Sequence, residues 1–248
     1  MAQKIKVGAV SYLNTKPLIY GFEQGKMKDE AELFIDYPSR IASLLQQNEI
    51  DIGLVPVAVM PTLKEQYIIS DYCIACDGAV ASVCLFSEVP LTEIETIFLD
   101  YQSRTSVELL KILLKEYWKI SPKLVGADAD YEKEITGTKA GLIIGDRALK
   151  QREKSAYIYD LGLAWREMTG LPFVFAAWVS NKKLPDEFCK AFNETTKMGL
   201  DQVKQVVAEN TVDFVDLEDY YSNFIKFRMD LKMHEAIALF LDKLKNGK

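Results

Sequence analysis

Ser11-Tyr12-Leu13-Asn14-Thr15-Lys16-Pro17-Leu18, entered from the apolar run 5–10, is the stretch from which the fold follows. An apolar run that halts at small polar residues and then at a proline reads as strand, turn and helix start. Asn14 or Thr15 is placed to cap the helix, and Pro17 suits a first turn, where the backbone N–H has no helical partner. The free N–H groups and positive dipole end of that helix suit a carboxylate or phosphate lying beyond the strand. Ser11, Asn14 and Thr15 add short neutral hydrogen-bonding side chains. An ordinary capped strand-to-helix turn is the competing interpretation of the same residues.

Downstream, helix signals run through Leu18, Ile19 and Phe22 to Gly25, and residues 32–37 read as a second strand closed by Pro38. Ser39 is expected to cap a helix whose Ile41, Leu44 and Leu45 share one face. Residues 51–59 form a nearly continuous apolar strand, the pattern of a parallel sheet covered on both faces. This alternation of strand and helix indicates α/β architecture. Between residues 67 and 87 two strand-like runs flank the turn signal Asp77-Gly78, with Ser82 inside the second run.

A strand over residues 94–100 then ends at Tyr101-Gln102-Ser103-Arg104-Thr105-Ser106. A helix follows, with Val107, Leu110, Leu114 and Tyr117 on a common face. This second junction repeats the chemistry of the first, a strand feeding a hydroxyl-rich turn at a helix N-terminus, without repeating its sequence. Ala140 to Ile144 is another buried strand, ending in Gly145-Asp146. A short strand over 157–161, a helix around Trp165 stopped by Gly170, and an apolar run to Val179 come next; from Pro185 the pattern is mainly helical.

No low-complexity linker divides the chain. The expected arrangement is two α/β lobes, residues 1–90 plus 178–248 and residues 91–177. Crossings are expected near 88–95 and 172–180, with the C-terminal helices returning to the first lobe. Ligands in such sheets bind outside the carboxyl ends of the strands, and clefts between lobes are preferred sites, so both turns would face one cleft.

At 248 residues, with 49% apolar and 27% charged residues, the chain has the composition of a globular protein with a real core. A net charge of -6 argues against a general nucleic-acid surface, while a local cradle of N–H groups can still hold a small anion. No secretory h-region and no apolar run of about 20 residues is present, so the expectation is a cytoplasmic protein with no membrane span. Cys73 and Cys76 form a C-x-x-C inside a strand with no second pair, and with Cys84 and Cys189 they read as thiols of a reducing compartment.

The opening motif Ser11 to Leu18 resembles the signature of the chorismate dehydratases of the futalosine route to menaquinone. Asp51-Ile52-Gly53-Leu54-Val55-Pro56-Val57, Ser103-Arg104-Thr105-Ser106 and Thr169-Gly170-Leu171-Pro172-Phe173-Val174-Phe175-Ala176 are similar to further stretches of that family. With Gly78 through Ser82 and Gly145-Asp146, the likeness spans about residues 5–180. It implies a two-lobed fold like the type 2 periplasmic binding proteins and the loss of water from chorismate, driven by aromaticity and needing neither metal nor redox cofactor. The related 1,4-dihydroxy-6-naphthoate synthase opens with a different turn and carries a histidine base where this chain has Gly145. Here the sole histidine, His234, falls in a C-terminal helix and reads as structural.

The resemblance implies that Asn14 and Ser82 position the enolpyruvyl group or the departing hydroxyl. Thr105 and Ser106 would hold a carboxylate, and Ser11, Tyr12, Thr15, Ser103 and Gly145 would complete the binding set. Arg40 and Arg104 serve equally well as carboxylate clamps or as solvated residues following a cap. Tyr12 and Trp178 would wall the cleft or join the core. The general base is Asp146, another carboxylate, or the substrate's own enolpyruvyl carboxylate. Asp146, at a helix start expected to depress its pKa, reads as a cap or hinge anchor, which favours the substrate's carboxylate. A solute-binding protein and a regulator's ligand-sensing domain are the non-enzymatic alternatives.

Overall fold

Residues 4–246 are described by the computed structural model, which arranges them in two mixed sheets. The first third of the chain runs β1 (Ile5–Val10), α1 (Lys16–Glu23), β2 (Ala31–Asp36), α2 (Pro38–Gln46), β3 (Ile52–Pro56) and β4 (Tyr67–Cys76). The middle supplies β5 (Val83–Ser87), β6 (Thr96–Leu99), α3 (Thr105–Ile112), β7 (Lys123–Gly126), β8 (Lys139–Ile144), α4 (Gly145–Gln151), β9 (Tyr157–Asp160) and α5 (Leu161–Thr169). The remainder holds β10 (Phe173–Ser180), α6 (Asp186–Asp201), α7 (Val203–Glu209), α8 (Leu217–Asp219), β11 (Lys226–Arg228) and α9 (Leu231–Asn246).

The first sheet has the order β11-β4-β10-β3-β1-β2 and the second β7-β6-β8-β5-β9. In each, a parallel set (β2-β1-β3, β7-β6-β8) is extended by antiparallel strands, β10 in the first sheet and β5 in the second. β10 is buried along its whole length and β3 likewise, which is why both read as continuous apolar runs. The edge strand β2 alternates, with exposed positions between half-buried ones.

The chain leaves the first sheet after Cys76 and enters the second at Val83, upstream of the crossing expected near 88–95. Asp77-Gly78 therefore marks an interlobe crossing rather than a hairpin, because β4 and β5 belong to different sheets. The return precedes Phe173, so all of β10, including its part before residue 178, lies in the first sheet.

The C-terminal helices pack on both lobes. α6 lies against α1 so closely that a Cβ on Gly199 would sit 2.1 Å from the Pro17 carbonyl oxygen; only glycine admits this approach. On α9, Phe240 meets Trp165 of α5 and Phe173 of β10 edge-on, at 6.1 and 5.1 Å between ring centroids. Trp178 is fully buried and packs on Phe192 of α6, which makes it core rather than cleft wall.

Helix starts differ from the expected caps. Residues Leu13–Thr15 form a tight 3-10 turn, and neither Asn14 nor Thr15 caps α1 with its side chain. Pro38 opens α2 one residue before Ser39, whose side chain makes no capping bond there. Pro17 does occupy the first turn of α1.

Candidate active site

The ends of β1, β6 and β8 and the first interlobe crossing converge on a cavity with about 500 Å³ of unfilled space, its open mouth included. Tyr12 and Asn14 reach it from the first turn, Ser82 from the crossing, and Ser103, Thr105 and Ser106 from the second turn. Gly145, at the start of α4, and apolar side chains such as Phe175 and Ile74 complete the wall.

The first turn is fixed by partners distant in sequence. The Leu13 N–H donates to Asp146 Oδ1 at 3.1 Å, and the Tyr221 hydroxyl donates to the Leu13 carbonyl at 2.7 Å. The Tyr12 hydroxyl donates to Gln102 Oε1, across the cleft. The Tyr12 ring lies on Gly145: a Cβ there would stand 3.0 Å from the ring, and the backbone has φ +63°. Both facts require glycine. Asn14 is nearly buried, and its Oδ1 accepts from Thr15 Oγ1 at 3.4 Å. Beneath it the fully buried Tyr220 donates its hydroxyl to Ser82 Oγ at 2.7 Å.

The second turn is fixed largely by itself. Ser103 Oγ accepts the Ser106 N–H at 3.0 Å, so that N–H is not available to a ligand in this arrangement. Thr105 Oγ1 accepts the Ala58 N–H of the opposite lobe at 3.1 Å, which leaves its hydroxyl proton to donate. Behind the turn sits Asp100, whose carboxylate takes Arg147 Nη2 at 2.9 and 2.7 Å, the Gln102 and Ile144 N–H groups, and the Tyr131 hydroxyl.

Burial holds the Asp100 carboxyl above the usual range, with Arg147 opposing the shift. Burial likewise raises Asp146, with the Leu13 N–H, Lys150 and Lys16 pulling the other way. This overturns the depressed pKa expected from a helix start, because desolvation outweighs the backbone hydrogen bond. Asp146 is nonetheless a turn anchor by geometry, its Oδ1 aimed at Leu13 rather than into the cavity.

Seven sequence candidates thus meet at the cavity: Tyr12, Asn14, Ser82, Ser103, Thr105, Ser106 and Gly145. Five do not line it. Ser11 is exposed and its N–H pairs with the Asp36 carbonyl at 3.1 Å; Thr15 is fully buried behind the turn; Asp146 backs it. Arg40 and Arg104 are exposed, Arg104 reaching Gln46 Oε1 at 3.5 Å on the outer surface. His234 is exposed on α9, away from the lining. Tyr220, Tyr221, Gln102 and the Asp100–Arg147 pair emerge only in three dimensions, since they have partners 31 to 208 residues away.

Among the described residues, no lining side chain carries a carboxylate, an imidazole or a cation. What faces an occupant is an amide, hydroxyls and apolar surface, together with the starts of α2, α3 and α4, whose dipoles favour negative charge. Nor does any group of three or more His, Cys, Asp or Glu among the described residues sit so as to hold a metal ion, and no described helix is long and apolar enough to cross a membrane.

Residues 5–246 match the sequence family described as menaquinone biosynthesis. The chain is 30% identical over 197 residues to the chorismate dehydratase of Thermus thermophilus, covering 68% of this chain and 69% of that one. It is 25% identical over 247 residues to the chorismate dehydratase of Campylobacter jejuni, covering 96% of each. Among solved structures, a protein of Archaeoglobus fulgidus superposes with a TM-score of 0.81 at 15% identity over 98% of each chain. The periplasmic aliphatic sulphonate binding protein of Escherichia coli superposes with a TM-score of 0.62 at 13% identity, over 100% of this chain and 93% of that one. These two likenesses establish a two-lobed fold of the periplasmic-binding-protein kind.

Proposed function

The chain belongs to the menaquinone biosynthesis family, and we propose that it is a chorismate dehydratase, a hydro-lyase converting chorismate to 3-(1-carboxyvinyloxy)benzoate. The reaction removes the proton from the ring carbon that bears the enolpyruvyl ether and expels the hydroxyl from its neighbour. The C–H electron pair becomes the new ring double bond, proton and hydroxide leave as water, and the ring becomes aromatic.

The observation that carries the mechanism is the neutral lining. A cavity without carboxylate or imidazole among the described residues supplies no base of its own. Tyr12, its titratable lining residue, is held above its ordinary pKa, first by burial and then by the charge of Asp100, and stays protonated. The substrate's enolpyruvyl carboxylate lies beside the ring proton by construction, so proximity and removal of water make it the base. The same carboxylic acid then delivers the proton to the departing hydroxyl, which balances the step. In this reading Asn14 and Ser82 orient the ether and the leaving group. Thr105 and Ser106 hold the ring carboxylate through hydroxyls, with the α3 dipole in place of a cation. Arg40 and Arg104, which do not line the cavity, play no part at the reacting atoms.

Two other activities fit less well. The naphthoate synthase would need a histidine where the Tyr12 ring already packs on Gly145. A solute-binding role is favoured by likeness of fold alone, as to the sulphonate-binding protein. Purified protein is expected to convert chorismate, in the presence of EDTA, to a product lighter by one water in mass spectrometry. A raised melting temperature with chorismate recovered unchanged is the signature of a binder and defeats the proposal. Strict dependence of turnover on a divalent ion defeats the mechanism. The reading also places the enzyme in the cytoplasm, which cell fractionation tests.

A further inference from the structure

The C-terminal third, which carries no recognisable motif, delivers one side chain to the underside of the reacting centre. Tyr220 begins a π-helical turn that runs to Phe224, closed by the Ile225 N–H on the Tyr220 carbonyl at 3.2 Å. Such turns shift the side-chain register of a helix and occur often at functional sites. Here the turn sends the Tyr220 ring inward, where it is 1% exposed and packed beside Tyr221 and Phe224. Its hydroxyl donates to Ser82 Oγ at 2.7 Å, with the Asn14 side chain close by. One phenol therefore holds one of the two polar groups assigned to the ether and the leaving hydroxyl and neighbours the other. It comes from an element about 140 residues from Ser82, and it does not line the cavity itself.

We propose that Tyr220 is a positioning residue for the dehydration, one that turns the Ser82 hydroxyl proton toward the departing group. A serine hydroxyl has one proton and two acceptor lone pairs. With the Tyr220 O–H donating into Ser82 Oγ, the serine proton cannot point back along that line and is directed to the cavity. The serine then meets the leaving oxygen as a donor. The phenol keeps a proton to donate, because burial and the nearby Asp146 charge hold its titration well above the ordinary range. Ser82 itself is held from the other side. The Asp160 carboxylate accepts the Val80 N–H at 3.1 Å and the Ala81 N–H at 2.8 Å, just before it, and Ser82 O accepts the Gly145 N–H at 2.8 Å. The backbone thus fixes where Ser82 is, and Tyr220 fixes which way its proton faces.

This inference rests on the dehydratase reading and is tested by a cycle of Y220F, S82A and the double variant, assayed with chorismate. Phenylalanine fills the same space, so Y220F is expected to fold, which its melting temperature checks. Y220F is expected to lower kcat about tenfold while KM stays within about twofold, the pattern of an interaction expressed in the transition state. In the S82A background the same change is expected to cost less than about twofold, because the serine through which it acts is gone. A full tenfold loss in both backgrounds overturns the proposal, as does a Y220F enzyme with wild-type kcat, or a loss confined to KM. A wild-type protein inert on chorismate defeats the dehydratase reading instead, so the two failures are distinguishable.

Discussion

The two strand-to-helix turns that face the cavity look alike in sequence and are built differently. The first, around Tyr12 and Asn14, is held by Asp146, Gln102 and Tyr221, each from another part of the chain. The second, from Ser103 to Ser106, closes on itself through Ser103 Oγ and meets the other lobe at Ala58 and, through the exposed Arg104, at Gln46. Local closure makes a turn rigid before any ligand arrives and suits a group that binds the same charge throughout. Long-range anchoring ties the geometry of Asn14 to the packing of both lobes. That suits a group whose hydrogen bond must improve as the reaction proceeds.

The largest test of this contrast is Asn14→Ala. It is expected to lower kcat on the order of 10²-fold, the loss typical of one preorganised donor, and to raise KM less. Asn14→Asp, which sets a carboxylate against an anionic substrate, is expected to bind more weakly than Asn14→Ala. Thr105→Ala is expected to do the opposite of Asn14→Ala, raising KM by the equivalent of about 1.5–3 kcal/mol with kcat little changed. Steady-state kinetics on the three variants decide it. A purely KM effect at Asn14 together with a collapse of kcat at Thr105 reverses the roles of the turns.

A smaller effect, on stability, separates the way the turns are supported. Gly145→Ala forces a side chain into a left-handed backbone and against the Tyr12 ring, and is expected to cost about 1–3 kcal/mol. Ser103→Ala removes a neutral capping bond from the second turn and is expected to cost about 0.5–2 kcal/mol. Urea unfolding measures both. If Gly145→Ala is neutral, the contact between Tyr12 and Gly145 is not what holds the first turn over α4.

The same contrast explains what the sequence disclosed. The α/β alternation, the buried strands β3, β8 and β10, and the hydroxyl-rich second turn are properties of short segments, and periodicity and turn chemistry exposed them. Seven of the cavity residues lay in such segments or in motifs that resembled a known family. Tyr220 was invisible because its partner, Ser82, is joined to it only by the fold. The crossing after Cys76 was misplaced because Asp77-Gly78 carries the same signal whether a chain turns back on its own sheet or leaves for another. Asp146 was assigned the wrong direction of pKa shift because burial, which decides it, is not a local property.

Asp146 offers the finest test of how the first turn is anchored. Its carboxyl is buried against Leu13, and desolvation raises its pKa above 3.8. Well below 3.8 the group is protonated in folded and unfolded chains alike, and its burial costs nothing through ionisation. As pH rises from there through the raised folded value, the unfolded chain releases its proton first. The folded state then binds more protons, so this group's contribution to stability falls with pH until both states are ionised. Asp146→Asn keeps an oxygen for the Leu13 N–H but has no proton to release. Its stability relative to wild type is therefore expected to rise with pH across that window and then level off. Ser103→Ala, at a neutral cap, should show no such slope. Urea midpoints of the two variants and wild type, taken from below pH 3.8 to neutrality, give the comparison directly. A flat or falling difference for Asp146→Asn would mean that the carboxylate is better solvated than its burial implies, and that the first turn is anchored by Tyr221 and Gln102 without it.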